Sequence, residues 1–379
     1  MKRFDEVKAF LDTFLDSGLP GFDCLVYHKG QCVLRHSNGY ANWETKELFR
    51  GNERYNIYSC SKPITATAAL MLYERGLLEL DAPLAKYIPE FAEMHVSQTT
   101  DQGGSTDGVN LSFDKNAQRG SLRKAKNPIT IRQLFCMKAG FSYDMESPSL
   151  RLAQQETQGR CPTVETIKYL AKEPLVYEPG ETFFYSLAHD VLAAVVEVVS
   201  GQRFGEFVKE NIFDPLGMKD STFCLPDAQL DTVAEQYELD PETRACRNIG
   251  KQIRFYKLGS EYESGGAGCV STTEDYVRFL EGLRCGKLLK QETIDLMTTP
   301  HTVSEGYVSD DYCYGLGVRC PKPGSDVTDF GWGGYAGAYL AIDREHEYSL
   351  YYSQHTVGIH NDRYEVLTKK IRQVIRDHS

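Results

Sequence analysis

The stretch "YSCSKPITATAALMLYERG", residues 58–76, sets a serine, a lysine and a proline within five residues and then runs apolar at helical spacing. Pro63 has no backbone N–H and fits only the first turn of a helix, so the helix carrying "TATAALMLYERG" must begin within a few residues before it. That puts Ser59 at the helix N-terminus, where free N–H groups and the positive end of the dipole favour negative charge. Ser59 and Lys62 are three apart and share one helix face, close enough for the amine to take the serine's proton. The spacing alone is weak, because a serine capping a helix beside a solvated lysine reads the same. It recurs as Ser112/Lys115 and Ser121/Lys124. Those two pairs fall in a polar stretch where nothing would hold the side chains or exclude water from the amine.

That stretch, residues 97–127, is rich in Gly, Ser and Asp and too long for an ordinary connection, so it is expected to be a mobile surface loop. The rest of the middle of the chain is helical in pattern: "TIRQLFCMKAG", "TVETIKYLAKE", "HDVLAAVVEVVSG" and "TTEDYVRFLEGL". The two ends differ from it and resemble each other. "FDCLVYHKGQCVLRHSNGYAN" reads as two strands around a turn at residues 28–31, and "GAYLAIDREHEYSLYYSQHT" as two more around a charged turn at 343–347. An amphipathic helix precedes the first hairpin, with Phe4, Val7, Phe10, Leu11, Phe14 and Leu15 as its buried stripe, ended by Gly18 and Pro20. Another follows the second through Val366, Leu367, Ile371, Val374 and Ile375. The expected architecture is α+β: an antiparallel sheet from residues 1–58 and 281–379, flanked by terminal helices, with a helix-rich subdomain, 59–280, inserted. The active site is expected at the junction.

Composition excludes several function classes. The chain has 379 residues, 41% hydrophobic, and no apolar run near the ~20 residues a membrane span needs. Its N-terminus lacks the uninterrupted apolar core of a secretion signal, so a cytoplasmic location with reduced thiols is expected. The 11 cysteines are scattered, without CxxC or paired Cys/His spacing, and no metal or cofactor is expected. A net charge of −11 disfavours nucleic acid as a partner. The sequence contains no GxSxG, HExxH, P-loop or GxGxxG. Oligomeric state is left open.

Two further segments give the Ser59 motif its context. "YEPGETFFYSLAHDVLAAVVEVVSG", residues 177–201, presents Tyr185 after a Pro-Gly turn and before an apolar helix. "VTDFGWGGYAGAYLAID", residues 327–343, presents Trp332, Gly333 and Gly334 at the head of a strand, where glycines let a ligand approach the backbone. In order, spacing and split topology the three together resemble the serine β-lactamase and penicillin-binding protein superfamily. "LDAPLAKYIPEF", "FDPLGMKDSTF" and "GGAGCVSTTEDYVRFL" follow it as well. The variants are most similar to class C β-lactamase-like proteins and family VIII carboxylesterases. The resemblance implies a β-lactamase/transpeptidase-like fold, with Ser59 acylated, Lys62 its activating partner and Tyr185 relaying the proton to the leaving group. It also implies an oxyanion hole made by the backbone N–H groups of Ser59 and Tyr335. Whether Lys62 or Tyr185 is the general base stays open.

The pattern departs from the superfamily at two positions. Where the tyrosine motif usually reads Tyr-x-Asn, this chain has Leu187, which cannot hydrogen-bond a substrate amide. Where the strand motif usually begins with Lys or His, it has Trp332. Both changes make the substrate pocket formed with Gly333 and Gly334 less polar, and a Trp-Gly-Gly motif is similar to that of family VIII esterases. The expected activity is therefore a serine hydrolase acting on small esters. A penicillin-recognising lactamase or DD-peptidase acting on a β-lactam-like substrate, an acyltransferase, and a non-catalytic binding protein of this fold are the alternatives. Plain core roles for Trp332 and Leu187 also stand. Tyr58, Tyr335 and Tyr339 either line an aromatic pocket or take ordinary places, and Cys60 reads as a buried neutral thiol.

Overall fold

The alternating apolar residues of the two terminal hairpins leave each strand with one face to bury on either side, and the chain meets this with a covered sheet. The structure, a computed structural model, describes residues 4–97, 121–240, 242–251, 256–302, 309–358 and 363–377. Gly21–His28 (β1) and Gln31–Gly39 (β2) form the first hairpin. Lys29 and Gly30, with φ of 52° and 77°, make its two-residue turn, whose twist matches the strands. Tyr312–Tyr314 (β3), Arg319–Pro321 (β4), Asp329–Gly333 (β5), Tyr339–Asp343 (β6) and Tyr348–Ser353 (β7) complete the sheet. Its order is β2-β1-β7-β6-β5-β4-β3 with every neighbouring pair antiparallel. The expected sheet from both chain ends is what forms.

Phe22, Cys24 and Val26 of β1 and Tyr348, Leu350 and Tyr352 of β7 point to one face. There they meet the terminal helices Asp5–Asp12 (α1) and Arg363–Arg376 (α5). α1 contributes Val7 and Leu11, then tightens to a 3₁₀ turn at Thr13–Ser17 that ends at Gly18, φ 96°. α5 contributes Leu367, Ile371 and Ile375, the i, i+4, i+8 ladder, but Val366 is 43% exposed. It sits one residue, about 100° of helix rotation, off that ladder, so it was wrongly assigned to the buried stripe.

Leu25, Phe330, Trp332, Leu340, Ile342 and Tyr351 point to the other face and join the main core. Helix Thr273–Arg284 (α4) lies directly on β1, β6 and β7 there. It straddles the 280/281 boundary expected between subdomains, and we keep the division into 1–58 with 281–379 and 59–280 as a proposal about folding units. Behind α4 runs Ser61–Glu74 (α2), buried on every side from Ser61 to Leu72, and it packs against Ala188–Ser200 (α3). A helix with no polar stripe has no face to give to water, and its alanines and threonines let neighbours approach closely.

Residues 98–120, most of the polar stretch and all of Ser112/Lys115, lie outside the described residues. Ser121 and Lys124 are exposed, Lys124 ending the short strand Leu122–Lys124 and pairing with Glu93, so that pair is not on a helix. Among the described residues no helix is long and apolar enough to cross a membrane, no His/Cys/Asp/Glu cluster has metal-site geometry, and the 11 cysteines are free thiols.

His355 braces the approach to α2. Its Nδ1 donates to Glu235 O at 2.9 Å and its Nε2 accepts from Asn56 N at 3.3 Å, so the ring is bonded as the neutral tautomer. Burial pushes its pKa down to about 4, with the Glu235 carbonyl opposing. The unfolded chain therefore binds the proton first, and the stability the neutral ring provides is complete above about pH 6.5 and lost as pH falls toward 4. At pH 4 the loss is on the order of 3 kcal/mol. Thermal denaturation of wild type and His355→Gln should show the wild-type advantage at pH 7 narrowing as pH falls to 4.

Candidate active site

Ser59 sits where a short strand becomes α2. Tyr55–Asn56 pairs with Val270–Ser271, Ile57 N donates to Cys269 O at 3.1 Å, and a 3₁₀ turn, Tyr58–Cys60, then leads into the helix. Tyr58 has φ 48°, a left-handed conformation that is costly for a bulky residue. Its surroundings fix it there: its hydroxyl donates to Gln236 Oε1 at 2.8 Å and its ring meets Tyr256 and Tyr335 edge-on. Tyr276 Oη donates to Cys60 O at 2.6 Å and Cys269 N donates to Ser61 Oγ at 3.0 Å. The turn is held from three sides. Cys60 is fully buried, and burial raises its pKa against the opposing Lys62 charge, which keeps it a neutral thiol.

Lys62 is 0% exposed. Its Nζ donates to Ser59 Oγ at 3.1 Å and to Gly266 O at 2.8 Å, and it stands 4.5 Å from the centre of the Tyr185 ring. The carbonyl comes from the tight loop 264–268, threaded between α2 and α3. A Cβ on Gly265 would fall 2.4 Å from His189 O and one on Gly266 2.5 Å from Asp190 Oδ2, so neither position admits a side chain without displacement.

Tyr185 arrives from the segment before α3. After the Pro179-Gly180 turn, Phe184 N donates to Met137 O at 2.8 Å and Leu187 N to Ser142 O at 3.1 Å, which lays the segment along residues 137–142. Tyr185 Oη donates to Ser59 Oγ at 2.6 Å. Its ring lies between Tyr143, 5.6 Å away and parallel within 2°, and Trp332, 6.0 Å away at 22°. Tyr314 meets Trp332 edge-on at 4.8 Å. A serine hydroxyl within bonding distance of both a lysine amine and a phenol can pass its proton to either, and the apolar ring walls strengthen every charge interaction inside. The structure thus brings together Ser59, Lys62, Tyr185 and Trp332.

Other expected site residues take different places. Trp332 and Gly333 lie at the C-terminal end of β5, not at the head of a strand, and Gly334 and Tyr335 belong to the turn into β6. Gly334 packs on the Ser59 turn: a Cβ there would lie 2.6 Å from Ile57 O and 3.3 Å from Cys60 Sγ. Tyr335 is 44% exposed and touches Tyr58. Leu187 was expected at the substrate, but it is 1% exposed at the start of α3 in the main core, its side chain turned away from solvent. Tyr339 faces the terminal helices, stacked on Tyr364, and lines no pocket with Tyr58.

Sequence reasoning missed Tyr143, His189, Asp190 and Gly266. His189, on α3, is fully buried, and burial followed by the Lys62 charge pushes its pKa down to about 3, so it is a neutral neighbour. Burial raises Tyr143 well above its ordinary value, with the charges of Tyr185 and Asp190 adding to it. One signal was readable: "HD" two residues after Leu187, two ionisable groups at the start of an otherwise apolar helix.

The chain belongs to the Beta-lactamase family, whose pattern it matches over residues 7–368. It is 28% identical over 312 residues to esterase EstB of Burkholderia gladioli, covering 76% of this chain and 72% of that one. It is 32% identical over 263 residues to the lovastatin esterase of Penicillium rubens, covering 67% and 61% respectively. Among solved structures, that of EstCE1, described as a hydrolase with promiscuous acyltransferase activity, superposes with a TM-score of 0.74 at 24% identity over 99% of this chain and 97% of that one. The chain is a serine hydrolase or acyl-transferring enzyme of the β-lactamase fold.

Because Gly334 has no room for a methyl group against Ile57 O, Gly334→Ala should push the β5–β6 turn away from Ser59. Labelling of Ser59 by a fluorophosphonate, followed by intact mass, should slow at least tenfold while the melting temperature changes by only a few degrees.

Proposed function

We propose that the protein is a carboxylesterase that hydrolyses small esters through an acyl-enzyme on Ser59. The observation that carries this is the convergence on Ser59 Oγ of Lys62 Nζ at 3.1 Å and Tyr185 Oη at 2.6 Å. Ser59 Oγ attacks the ester carbonyl carbon and its proton passes into the Lys62–Tyr185 pair. The tetrahedral intermediate collapses by breaking the C–O bond, and the pair returns the proton to the departing alkoxide. Water then repeats the sequence on the acyl-enzyme, releasing the acid. The oxyanion rests on the backbone N–H groups of Ser59 and Tyr335, a reading supported by the packing of Gly334 against the Ser59 turn. Trp332, Gly333 and Gly334 form the wall along which the substrate lies.

An apolar Trp332 in place of a cation favours an uncharged ester over a carboxylate-bearing β-lactam. Relatives named as esterases support the same choice, and the EstCE1 description supports a second outcome, transfer of the acyl group to an alcohol. The two differ only in the acceptor that meets the acyl-enzyme. No cofactor or metal takes part in either.

Brief incubation with a short p-nitrophenyl ester, and separately with a penicillin, followed by intact mass, tests the reading. A burst and transient adduct with the ester, absent in Ser59→Ala, together with little penicillin adduct, are expected. Tyr185→Phe should lower turnover by about a hundredfold or more. A long-lived penicillin adduct on Ser59 would replace the esterase reading with a penicillin-recognising one, and reaction with neither would remove both.

A further inference from the structure

The far end of α2 borders a second cavity, which the chemistry above does not use. It measures about 450 Å³ and is walled by three segments: the last turn of α2, residues 211–216 and residues 287–290. Small-molecule sites span roughly 300–1,000 Å³, so the size suits a ligand. The 14 residues of α2 rise 1.5 Å each, which places this end of the helix about 20 Å from Ser59.

The lining is of two kinds. Met71 and Leu288, both buried, and the half-buried Leu216 give it an apolar part that belongs to the main core. Arg75, Lys287 and Lys290 give it an exposed cationic part, and among the described residues none of the three forms an ion pair with a carboxylate. Among the described lining residues the one acid is Glu74, whose Oε1 accepts from the Lys290 backbone N–H at 2.7 Å. In a chain of net charge −11, three cations around one hollow need a reason of their own. Helix ends do not supply it. A cation suits the C-terminus of α2, but Lys290 stands directly before the helix Gln291–Met297, where the dipole disfavours positive charge.

Arg75 is held in place beside the cavity. Its Nη2 donates to Asn211 Oδ1 at 2.6 Å, and its guanidinium carbon lies 5.5 Å from the centre of the Phe207 ring. Asn211 Nδ2 in turn donates to Phe207 O at 2.8 Å. Asn211 sits in a π-helical turn, Lys209–Phe213, a rare geometry that recurs at functional sites. The carbonyls at the end of α2 are occupied: Arg75 N donates to Met71 O at 3.1 Å, Leu77 N to Leu72 O at 3.0 Å and Gly76 N to Tyr73 O at 2.9 Å. An anion there meets no free carbonyl from that turn. We infer that this cavity binds a small amphipathic carboxylate, its head held by Arg75, Lys287 and Lys290 and its hydrocarbon tail against Met71, Leu216 and Leu288. A guanidinium fork matches a planar carboxylate, and the tail removes apolar lining from water, which an inorganic anion would leave exposed. The inference is independent of the esterase reading, because binding here needs no turnover.

The test is equilibrium dialysis of the full chain against radiolabelled octanoate, in wild type and in a variant carrying both Lys287→Glu and Lys290→Glu. Saturable binding is expected in wild type, weakened about tenfold or more by the charge reversal and weakened also by added salt. Octanol, which lacks the charge, and inorganic phosphate, which lacks the tail, should each compete at least about tenfold less well than octanoate. All three cations are exposed, so the melting temperature should change by only a few degrees; Arg75→Gln, expected to weaken binding likewise, decides the matter if the double variant does not fold. Octanoate seated at Ser59 instead, about 20 Å away, would be insensitive to the charge reversal, and that result overturns the inference. Phosphate competing as well as octanoate overturns it too, as does the absence of saturable octanoate binding at millimolar concentration.

Discussion

The burial of the Lys62 amine is the constraint that the rest of the site depends on. A polar amine wholly removed from water needs partners on several sides, and here each comes from a different part of the chain. Ser59 Oγ comes from the turn before α2, Gly266 O from the loop between helices, and the Tyr185 ring from the segment ahead of α3. Satisfying this one buried group therefore assembles the residues proposed above for acyl transfer. The same closeness explains the glycines of the loop, because Asp190, His189 and Thr65 leave no volume at 265 or 266.

The sheet's part is to bring a second wall to this assembly. β5 ends beside the Ser59 turn, and Gly334 allows the contact. The opposite face is locked by terminal helices whose apolar ladders cover β1 and β7, and the buried Arg372–Asp329 pair, 3.1 Å apart, ties α5 to β5 itself. A rigid strand end opposite a strained turn gives the preorganised geometry that acyl transfer requires.

Local strain and local neutrality are concentrated near Ser59. Tyr58 is held at positive φ by its own hydrogen bond and ring contacts, and the histidines His189 and His355 are kept neutral by burial, one beside Lys62 and one behind the strand that delivers Ser59. Those imidazoles therefore add no positive charge beside Lys62 or behind the strand that delivers Ser59.

Much of this was legible in the chain. Pro63 fixed the start of α2 because it tolerates only a first-turn position, period-two and period-3.6 patterns gave both hairpins and both terminal helices, and the ordered set of Ser59-x-x-Lys62, Tyr185 and Trp332-Gly-Gly pointed to the fold and its site. What pattern could not decide is which face of an element meets which neighbour. Val366 and Leu187 were misplaced because one residue of helix rotation, or one turn at a helix start, moves a side chain between solvent, site and core. Asp190, Tyr143 and Gly266 lie about 80–200 residues from Ser59 in sequence, and their meeting with Lys62 depends on how α2, α3 and the 264–268 loop pack, which no local propensity encodes. The sequence by itself determined the elements and named Ser59, Lys62 and Tyr185 as candidates; the tertiary structure alone decided which buried polar groups meet, because that is set by close packing across distant segments.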